Sequence, residues 1–186
     1  QYDKEGLFDI IVTNSRTTPE QRAYMFKYDS VHRRYPGDVG YDAENILIDG
    51  RAVKVISVLK VEDLPWKEMG VDIVIESSGK ARTHEKASDH LKAGAKKVII
   101  SAPGSGEGIA TFVMGVNEDL YRPDTDHVLS NASCTTNSSS PVIQILNETV
   151  GVDKALLNTI HGYTSTQRLV DSPLQKDYRR GRAAAG

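Results

Sequence analysis

The chain has 186 residues, with 23 Lys and Arg against 25 Asp and Glu, a formal net charge of −2. This balance gives no electrostatic basis for binding nucleic acid or a membrane surface. No apolar run approaches the roughly 18 residues of a membrane-spanning helix, and no signal peptide opens the sequence. A single cysteine excludes an internal disulfide and favours a reducing, cytoplasmic compartment.

Three apolar runs have the length of β-strands, and each leads into small polar residues. The runs are residues 7–12, 71–75 and 98–100, and the polar ends are residues 13–16, 77–79 and 101–104. Continuous apolar runs predict strands covered on both faces of a parallel sheet. Because ligands bind at the carboxyl ends of parallel strands, these three ends predict one nucleotide-binding edge.

Helix and turn signals separate these runs. Thr18 and Thr83 each predict a helix N-cap, with Pro19 in the first turn of the earlier helix and Gly94 at the end of the later one. Asp49-Gly50 predicts a hairpin between the strands on either side of it. Strands that alternate with helices predict an α/β fold with a parallel sheet and right-handed crossovers.

The only cysteine, Cys134, lies among small and hydroxyl residues, between a short predicted strand at residues 127–129 and a helical pattern that stops at Gly151. At or just before a helix N-terminus, unpaired N–H groups and the helix dipole favour a thiolate. The alternative is a buried structural cysteine, against which the polar neighbours argue. Residues 155–160 predict a strand that ends at His161, either a structural histidine or a partner for the thiolate.

Residues 130–137, Ser-Asn-Ala-Ser-Cys-Thr-Thr-Asn, resemble the nucleophile segment of the phosphorylating glyceraldehyde-3-phosphate dehydrogenases. Further segments match this family in the same order: residues 9–14, 27–30, 76–79, 101–103, 114–117 and 179–185. The resemblance implies a Rossmann-type parallel sheet, without its first strand and Gly-rich loop, followed by the start of an α+β catalytic domain. It implies a partial dinucleotide-binding domain at residues 1–133 and a partial catalytic domain at residues 134–186, so that the chain is expected to be an internal fragment of the subunit.

The resemblance also implies a reaction, the oxidative phosphorylation of glyceraldehyde 3-phosphate to 1,3-bisphosphoglycerate, with Cys134 as nucleophile and His161 as base. The residues that it implies for binding substrate phosphate and inorganic phosphate are Ser133, Thr135, Thr164 and Arg180. Hydroxyls and a guanidinium are suitable donors to phosphate. Ordinary N-capping by the first two, and a solvated basic loop for the arginine, are the alternatives. None of the other histidines has a partner at metal-ligand spacing, so no metal site is expected.

The resemblance places seven residues at the family's cofactor contacts: Asn14, Ser15, Arg16, Ser77, Ser78, Gly79 and Ser101. NAD-specific members carry an Asp after the strand-end Asn, where this chain has Ser15 and Arg16. No carboxylate then repels a 2′-phosphate, and the guanidinium is able to pair with one. The expected cofactor is NADP or NAD, with NADP favoured. The alternative is a surface loop in an enzyme that still prefers NAD.

The same resemblance implies a cytoplasmic homotetramer with no nucleic-acid or membrane partner. Two other functions stay open. A close relative with the same Cys and His acts on erythrose 4-phosphate, and a chain without the dinucleotide loop is able to act as a non-catalytic interaction module. Kinetics with each sugar phosphate separate the two enzymes, and the full reading frame separates an enzyme from a module.

Overall fold

A computed structural model describes residues 5–164 and residue 167, and the chain divides into two compact units, Gln1–Ser140 and Pro141–Gly186. The strands of the described residues are β1 Val12–Asn14, β2 Tyr28–Asp29, β3 Arg33–Arg34, β4 Val39–Tyr41, β5 Asn45–Ile48, β6 Arg51–Ile56, β7 Ile73–Glu76, β8 Lys97–Ile100, β9 Ala110–Thr111 and β10 Val128–Ser130. The α-helices are α1 Pro19–Lys27, α2 Trp66–Met69, α3 His84–Lys92 and α4 Cys134–Thr149.

The first sheet has the strand order β1-β6-β5-β4, with β1 parallel to β6 and the other neighbours antiparallel. The β5–β6 hairpin confirms the prediction at Asp49-Gly50. Both residues have positive φ angles, 48° and 80°, as a tight two-residue turn requires. Helix α1 covers one face of this sheet, where Ala23 packs with Ile46 and Val53.

Both predicted N-caps are confirmed. The Thr18 hydroxyl accepts a hydrogen bond from Gln21 N–H (3.2 Å), and the Gln21 side chain accepts one from Thr18 N–H (3.1 Å), which is a complete capping box. The Thr83 hydroxyl accepts from Lys86 N–H (3.4 Å) at the start of α3. Gly94, with φ 115°, follows the end of α3, where a side chain would collide with the backbone of Lys67. Glycine is therefore required for α3 to end against α2.

The prediction of a strand at residues 7–12 is wrong for most of its length. Strand β1 begins at Val12, the first hydrogen bond to β6 runs from Lys54 N–H to Ile11 O (3.0 Å), and Leu7 and Phe8 are exposed. The register pairs Val12 with Lys54, so its backward extension places Phe8 beside the hairpin turn at Gly50. A strand needs continuous pairing with a neighbouring strand, and here that pairing with β6 begins only at Val12.

The second sheet is entirely parallel, with the strand order β7-β8-β10-β9. It confirms the parallel α/β prediction, and Val98 and Ile100 of β8 are its most buried apolar side chains. Strand β7 begins two residues later than predicted, because Val71 N–H donates to Trp66 O (2.9 Å) in the turn after α2. The three polar strand ends belong to two sheets rather than one, since β1 pairs with β6.

A shared apolar core nevertheless joins the two sheets. Its buried members are Leu64, Trp66, Val71, Val74 and Ala95. Val12 of β1 and Ile56 of β6 pack against this cluster, so that the first sheet is fixed beside β7. Burial of each large apolar side chain contributes roughly 1.5–3 kcal/mol. The carboxyl ends of β1, β6 and β7 therefore meet, although they lie in different sheets.

Helix α4 begins at Cys134, as predicted, and Gly151 with φ 77° follows its end. The strand predicted at residues 155–160 is wrong. These residues form no strand, and Leu156 and Ile160 are 96% and 101% exposed. Within the described part of the chain, no strand pairs with them, so their apolar pattern alone does not produce one.

Candidate functional site

A cleft of about 750 Å³ opens in the first unit where β1, β6 and β7 end. Its cationic side chains are Arg16, Arg22, Lys60, Lys80 and Lys86, and its acidic side chains are Glu62, Glu76 and Asp89. Ser15, Ser57, Ser77 and Ser78 supply hydroxyl groups. An excess of cations beside hydroxyl and backbone donors suits an anionic, hydroxyl-bearing ligand. The prediction that polar strand ends meet at one site is therefore correct for two of the three ends.

Asn14 holds the first strand end in place. Its side-chain oxygen accepts from Val58 N–H (2.9 Å) and its side-chain NH₂ donates to Val58 O (3.0 Å). Both halves of the amide are thus used to join the ends of β1 and β6. The predicted cofactor residue Asn14 lies in the cleft, but its side chain is committed to this backbone pairing.

Ser15 follows at the same strand end. Its hydroxyl accepts from Thr17 N–H (3.1 Å) and lies 2.7 Å from the Thr17 hydroxyl, while Ser15 N–H donates to Ile56 O (2.8 Å). This small hydrogen-bonded turn directs the chain from β1 into the Thr18 cap of α1. Ser15 therefore has a fixed backbone position in the wall of the cleft.

Two guanidinium groups line the cleft next to this turn. Arg16 is exposed, and among the described residues no hydrogen bond or ion pair engages its side chain. Arg22, in the first turns of α1, is half-buried, and its Nε is a buried donor without a hydrogen-bond partner in the described part of the chain. A buried donor that lacks a partner is costly, so it is a natural contact for an anionic group of a ligand.

The second strand end is held by Glu76, the last residue of β7. Its Oε1 accepts from Ser78 N–H (2.7 Å), and its backbone carbonyl accepts from Ser101 N–H (3.0 Å) and the Ser101 hydroxyl (3.3 Å). Ser77 and Ser78 line the cleft, whereas Gly79, with φ 74°, and Ser101 lie beside its wall. A glycine fits Gly79 because this left-handed backbone conformation is costly for other residues.

Glu76 is itself buried and paired. The ring Nε2 of His90, on α3, lies 3.0 Å from Glu76 Oε2, and His90 Nδ1 accepts from the Trp66 indole N–H (3.0 Å). All three side chains are nearly inaccessible to solvent. Burial alone would raise the pKa of Glu76, but hydrogen bonds from His90 and Ser78 outweigh it and hold that pKa below the usual glutamate range.

Residues 130–137, the predicted nucleophile segment, begin with a buried serine. The Ser130 hydroxyl donates to Ala102 O (2.8 Å) and accepts from the N–H groups of Gly104 (3.1 Å) and Ala132 (3.1 Å). Ala132 has a positive φ of 56°, which is uncommon for a residue with a side chain and marks a sharp turn before α4. The end of β10 is thereby joined to the loop after β8.

Cys134 is the first residue of α4, and it is exposed rather than buried. The Ser133 hydroxyl accepts from Thr136 N–H (3.0 Å), so Ser133 is the N-cap of this helix. The Asn137 side chain donates to Asn131 O (2.8 Å) and to Ser133 O (2.9 Å), which fixes the turn before the cysteine. The predicted position of Cys134 at a helix N-terminus is therefore correct, and the buried structural alternative is wrong.

The remaining residues that were predicted to bind phosphate or to act as the base belong to different units of the chain. Thr135 is half-buried in the first turn of α4. His161 and Thr164 belong to the second unit: His161 Nδ1 lies 2.6 Å from Gly162 O, and Thr164 N–H donates to the Gln167 side chain (2.9 Å). Arg180 lies outside the described residues.

Sequence reasoning missed Arg22, Lys60, Glu76, His90 and Trp66 as parts of the site. Arg22 was detectable in principle, since it lies four residues after the Thr18 cap, and the first turns of a helix that follows a strand end face the ligand. A Glu at the end of an apolar strand also indicated a buried acid. Among residues 5–164 and 167, no group of three potential metal ligands exists, and no helix is long and apolar enough to cross a membrane.

The parallel strand ends, the helix starts and the cationic cleft define a dinucleotide-binding domain of the Rossmann type. Residues 2–84 match the sequence model of the NAD binding domain of glyceraldehyde 3-phosphate dehydrogenase, and residues 133–186 match the model of its C-terminal domain. The chain belongs to the glyceraldehyde-3-phosphate dehydrogenase family of oxidoreductases.

Named relatives extend over nearly all of the chain. It is 48% identical over 177 residues to glyceraldehyde-3-phosphate dehydrogenase of Thermotoga maritima, which covers 95% of the chain and 52% of that protein. It is 45% identical over 183 residues to the cytosolic enzyme of Scenedesmus vacuolatus, a match that covers 98% of the chain and 58% of that enzyme. It is 46% identical over 177 residues to the Geobacillus stearothermophilus enzyme, a match that covers 95% of the chain and 52% of that enzyme. The chain thus spans about half the length of the curated relatives it matches.

Proposed function

We propose that the protein oxidises glyceraldehyde 3-phosphate and phosphorylates the product to 1,3-bisphosphoglycerate. The observation that carries the proposal is an exposed cysteine, Cys134, as the first residue of a helix capped by Ser133, in a member of this family. Helix N–H groups and the helix dipole stabilise a thiolate at this position. A thiolate is the nucleophile that covalent oxidation of an aldehyde needs.

The proposed reaction consumes inorganic phosphate and an oxidised dinucleotide, NAD⁺ or NADP⁺. The Cys134 thiolate adds to the aldehyde carbon, and the carbonyl oxygen takes a proton from the His161 imidazolium to form a thiohemiacetal. His161 then takes this proton back as the C–H hydrogen leaves with its electron pair for the oxidised dinucleotide, and a thioester forms. The resulting thioester is attacked by inorganic phosphate, which forms the acyl phosphate and releases the Cys134 thiolate. Ser133, Thr135, Thr164 and Arg180 are the proposed phosphate-binding residues, through hydroxyl, backbone N–H and guanidinium donors.

NADP or NAD, when bound, supplies the hydride acceptor. The cleft at the ends of β1, β6 and β7 fits such a dinucleotide, since it offers hydroxyl groups and the unpartnered Nε of Arg22. Asn14, Ser15, Arg16 and the segment of residues 77–79, with Ser101 beside it, are the proposed contacts. We infer a preference for NADP, because Ser15 and Arg16 offer a hydroxyl and a cation where a carboxylate would repel a 2′-phosphate.

The test measures reduction of NAD⁺ and NADP⁺ by the protein expressed from its whole reading frame. With glyceraldehyde 3-phosphate and inorganic phosphate, wild type is expected to turn over, and Cys134→Ser is expected to be inactive because it lacks the thiolate. Ser138→Ala, an exposed hydroxyl on the same helix, is the matched control and should keep activity. A parallel assay with erythrose 4-phosphate identifies the substrate. Full activity of Cys134→Ser, or faster turnover of erythrose 4-phosphate, contradicts the proposal.

The name of one relative and the composition of the chain support a proposal on location and assembly. One relative is named a cytosolic enzyme. We propose a cytoplasmic homotetramer, since the arginine-bearing segment of residues 162–186 has too few apolar residues in its sequence to pack alone.

A further inference from the structure

A chain of hydrogen bonds runs through the protein interior and ends in the wall of the cleft. It starts at the Trp66 indole N–H, passes through both ring nitrogens of His90 and both oxygens of Glu76, and ends at Ser78 N–H. The three links measure 3.0, 3.0 and 2.7 Å. Trp66, His90 and Glu76 are 4%, 4% and 6% exposed, so water does not compete for these bonds.

The first link fixes the proton positions along this chain. The Trp66 indole nitrogen only donates, so His90 Nδ1 has to accept and carries no hydrogen. The hydrogen of the neutral ring is then on Nε2, which donates to Glu76 Oε2. Glu76 accepts this bond on one oxygen and a bond from Ser78 N–H on the other. A carboxylate can accept both, because each of its oxygens is an acceptor. Every link thus has one permitted polarity.

We propose that His90, oriented by Trp66, is a positioning residue that holds the cofactor segment (residues 77–79) in its binding conformation through Glu76. The inference rests on the proposed function, in which this segment contacts the dinucleotide. His90 and Trp66 do not need to touch the ligand. Their role is to keep the Glu76 carboxylate aimed at Ser78 N–H and thereby to fix the backbone before Gly79.

Packing alone does not account for such a chain. Buried polar groups cost free energy unless all are satisfied, and apolar side chains of similar volume often stabilise a core equally well. A buried carboxylate at the end of β7 has a specific use, since its second oxygen accepts from a backbone N–H in the ligand-binding wall. The Lys80 N–H bond to the Ser78 hydroxyl (3.2 Å) continues this order along the segment.

The polarity of the chain provides a sharp test. In Glu76→Gln, the new amide can accept from only one of its two donors, so its NH₂ meets either Ser78 N–H or His90 Nε2–H. We expect the Kd of NAD and NADP to rise about tenfold or more, the effect of losing a hydrogen bond to a charged group. When Trp66→Phe is added, the indole donor is lost and His90 Nδ1 no longer has to accept. The ring can then carry its hydrogen on Nδ1, and Nε2 can accept a hydrogen bond from the new amide NH₂. The double variant is therefore expected to bind the dinucleotide more tightly than Glu76→Gln alone.

A second pair of variants tests His90 directly. His90→Gln keeps an acceptor toward Trp66 and a donor toward Glu76, and we expect its Kd to stay within about threefold of wild type. His90→Leu removes both and is expected to bind about tenfold more weakly. Glu85→Gln, an exposed carboxylate of the same helix, is the matched control with wild-type affinity. Equal Kd values for His90→Gln and His90→Leu, or additive losses from Glu76→Gln and Trp66→Phe, overturn the proposal.

Hydrogen exchange of the Ser78 amide separates this inference from the proposed function. We expect exchange without ligand to be faster in His90→Leu than in wild type and near wild type in His90→Gln. If wild type binds neither NAD nor NADP, the proposed function fails. The exchange rate of the Ser78 amide still decides whether the hydrogen bonds from Trp66 to Ser78 order residues 77–79. If Glu76→Gln does not fold, the two His90 variants carry the test. Unchanged Ser78 exchange in folded His90→Leu refutes the positioning role.

Discussion

Ser15 and Arg16 provide the most specific prediction, a cofactor preference that two substitutions reverse. Ser15 has a fixed backbone in the cleft wall through its N–H bond to Ile56 O (2.8 Å). Its hydroxyl accepts from Thr17 N–H, a role that an aspartate side chain also performs. Ser15→Asp is therefore expected to keep the turn and to add one negative charge. Arg16→Ala removes a cation that no described residue engages.

The expected magnitude follows from charge and exposure. A charge-assisted hydrogen bond contributes about 1.5–3 kcal/mol, but Arg16 is exposed, and exposed ion pairs are worth only about 0–1 kcal/mol. We therefore expect Arg16→Ala alone to weaken NADP use by about twofold to fivefold. A carboxylate about 6 Å from a 2′-phosphate costs about 3 kcal/mol at an effective dielectric constant near 20, before salt screening. Ser15→Asp is expected to cost tenfold or more.

The assay is kcat/KM for NADP and NAD on wild type, both single variants and the double variant. The ratio of the two values should favour NADP in wild type, or be near one, and should shift about a hundredfold toward NAD in the double variant. Arg51→Ala, an exposed arginine at the opposite end of β6, controls for the general loss of a positive charge. A wild type already strongly selective for NAD would refute the reasoning, because Arg16 would then have no phosphate to bind.

Three other predictions concern the proposed catalytic segment and the assembly. His161→Asn should slow acylation by about 10²–10⁴-fold and also slow alkylation of Cys134, as measured by single-turnover kinetics and iodoacetamide labelling; unchanged turnover would return His161 to a structural role. Ser133→Ala should lower the free energy of unfolding in urea by about 1 kcal/mol, because Thr136 N–H loses its cap, whereas Ser138→Ala should change it little. Sedimentation should give a tetramer, and a stable, active monomer would contradict the assembly proposal.

Signals that depend on neighbouring residues in the chain predicted the local structure well. Thr18 and Thr83 cap helices, and Asp49-Gly50 turns a hairpin, because each needs only backbone groups within a few residues. The position of Cys134 at the start of α4 was predictable for the same reason. The turn before it contains Ala132 in a left-handed conformation, which could not be predicted because no glycine marks the position.

Signals that depend on distant partners were less informative. Residues 7–11 and 155–160 have strand-like apolar patterns, yet neither stretch forms a strand, because a strand forms only where another strand pairs with it continuously. The pattern of apolar side chains indicates which face of a strand would be buried. It does not indicate whether a neighbouring strand is present to pair with the backbone. The same limit explains why the sheet order β1-β6 was not foreseen.

The Trp66–His90–Glu76 chain was missed for a related reason. The sequence alone does not single out His90, because its partners lie 24 and 14 residues away and no local spacing connects them. Glu76 ends an apolar strand, where a buried acid is unusual, and that is the one signal that sequence reasoning could have used. A set of buried polar side chains that all hydrogen-bond to one another can therefore be recognised only in the folded structure.

Glu76 also predicts how stability changes in acid. Burial would raise its pKa, but the bonds from His90 and Ser78 prevail, so the folded-state pKa lies below that of the unfolded chain. Above the usual glutamate value of about 4.3, the carboxylate is ionised in both states and its contribution is complete. As the pH falls below that value, the unfolded chain binds the proton first, and the contribution is lost on approach to the folded-state pKa.

Urea unfolding across this range should show a steeper decline in the free energy of unfolding for wild type than for Glu76→Gln, which cannot titrate. Asp42→Asn removes an exposed carboxylate whose pKa is lowered by Asn45, and it should reduce the slope less. Parallel pH profiles for wild type and Glu76→Gln would mean that Glu76 titrates alike in both states.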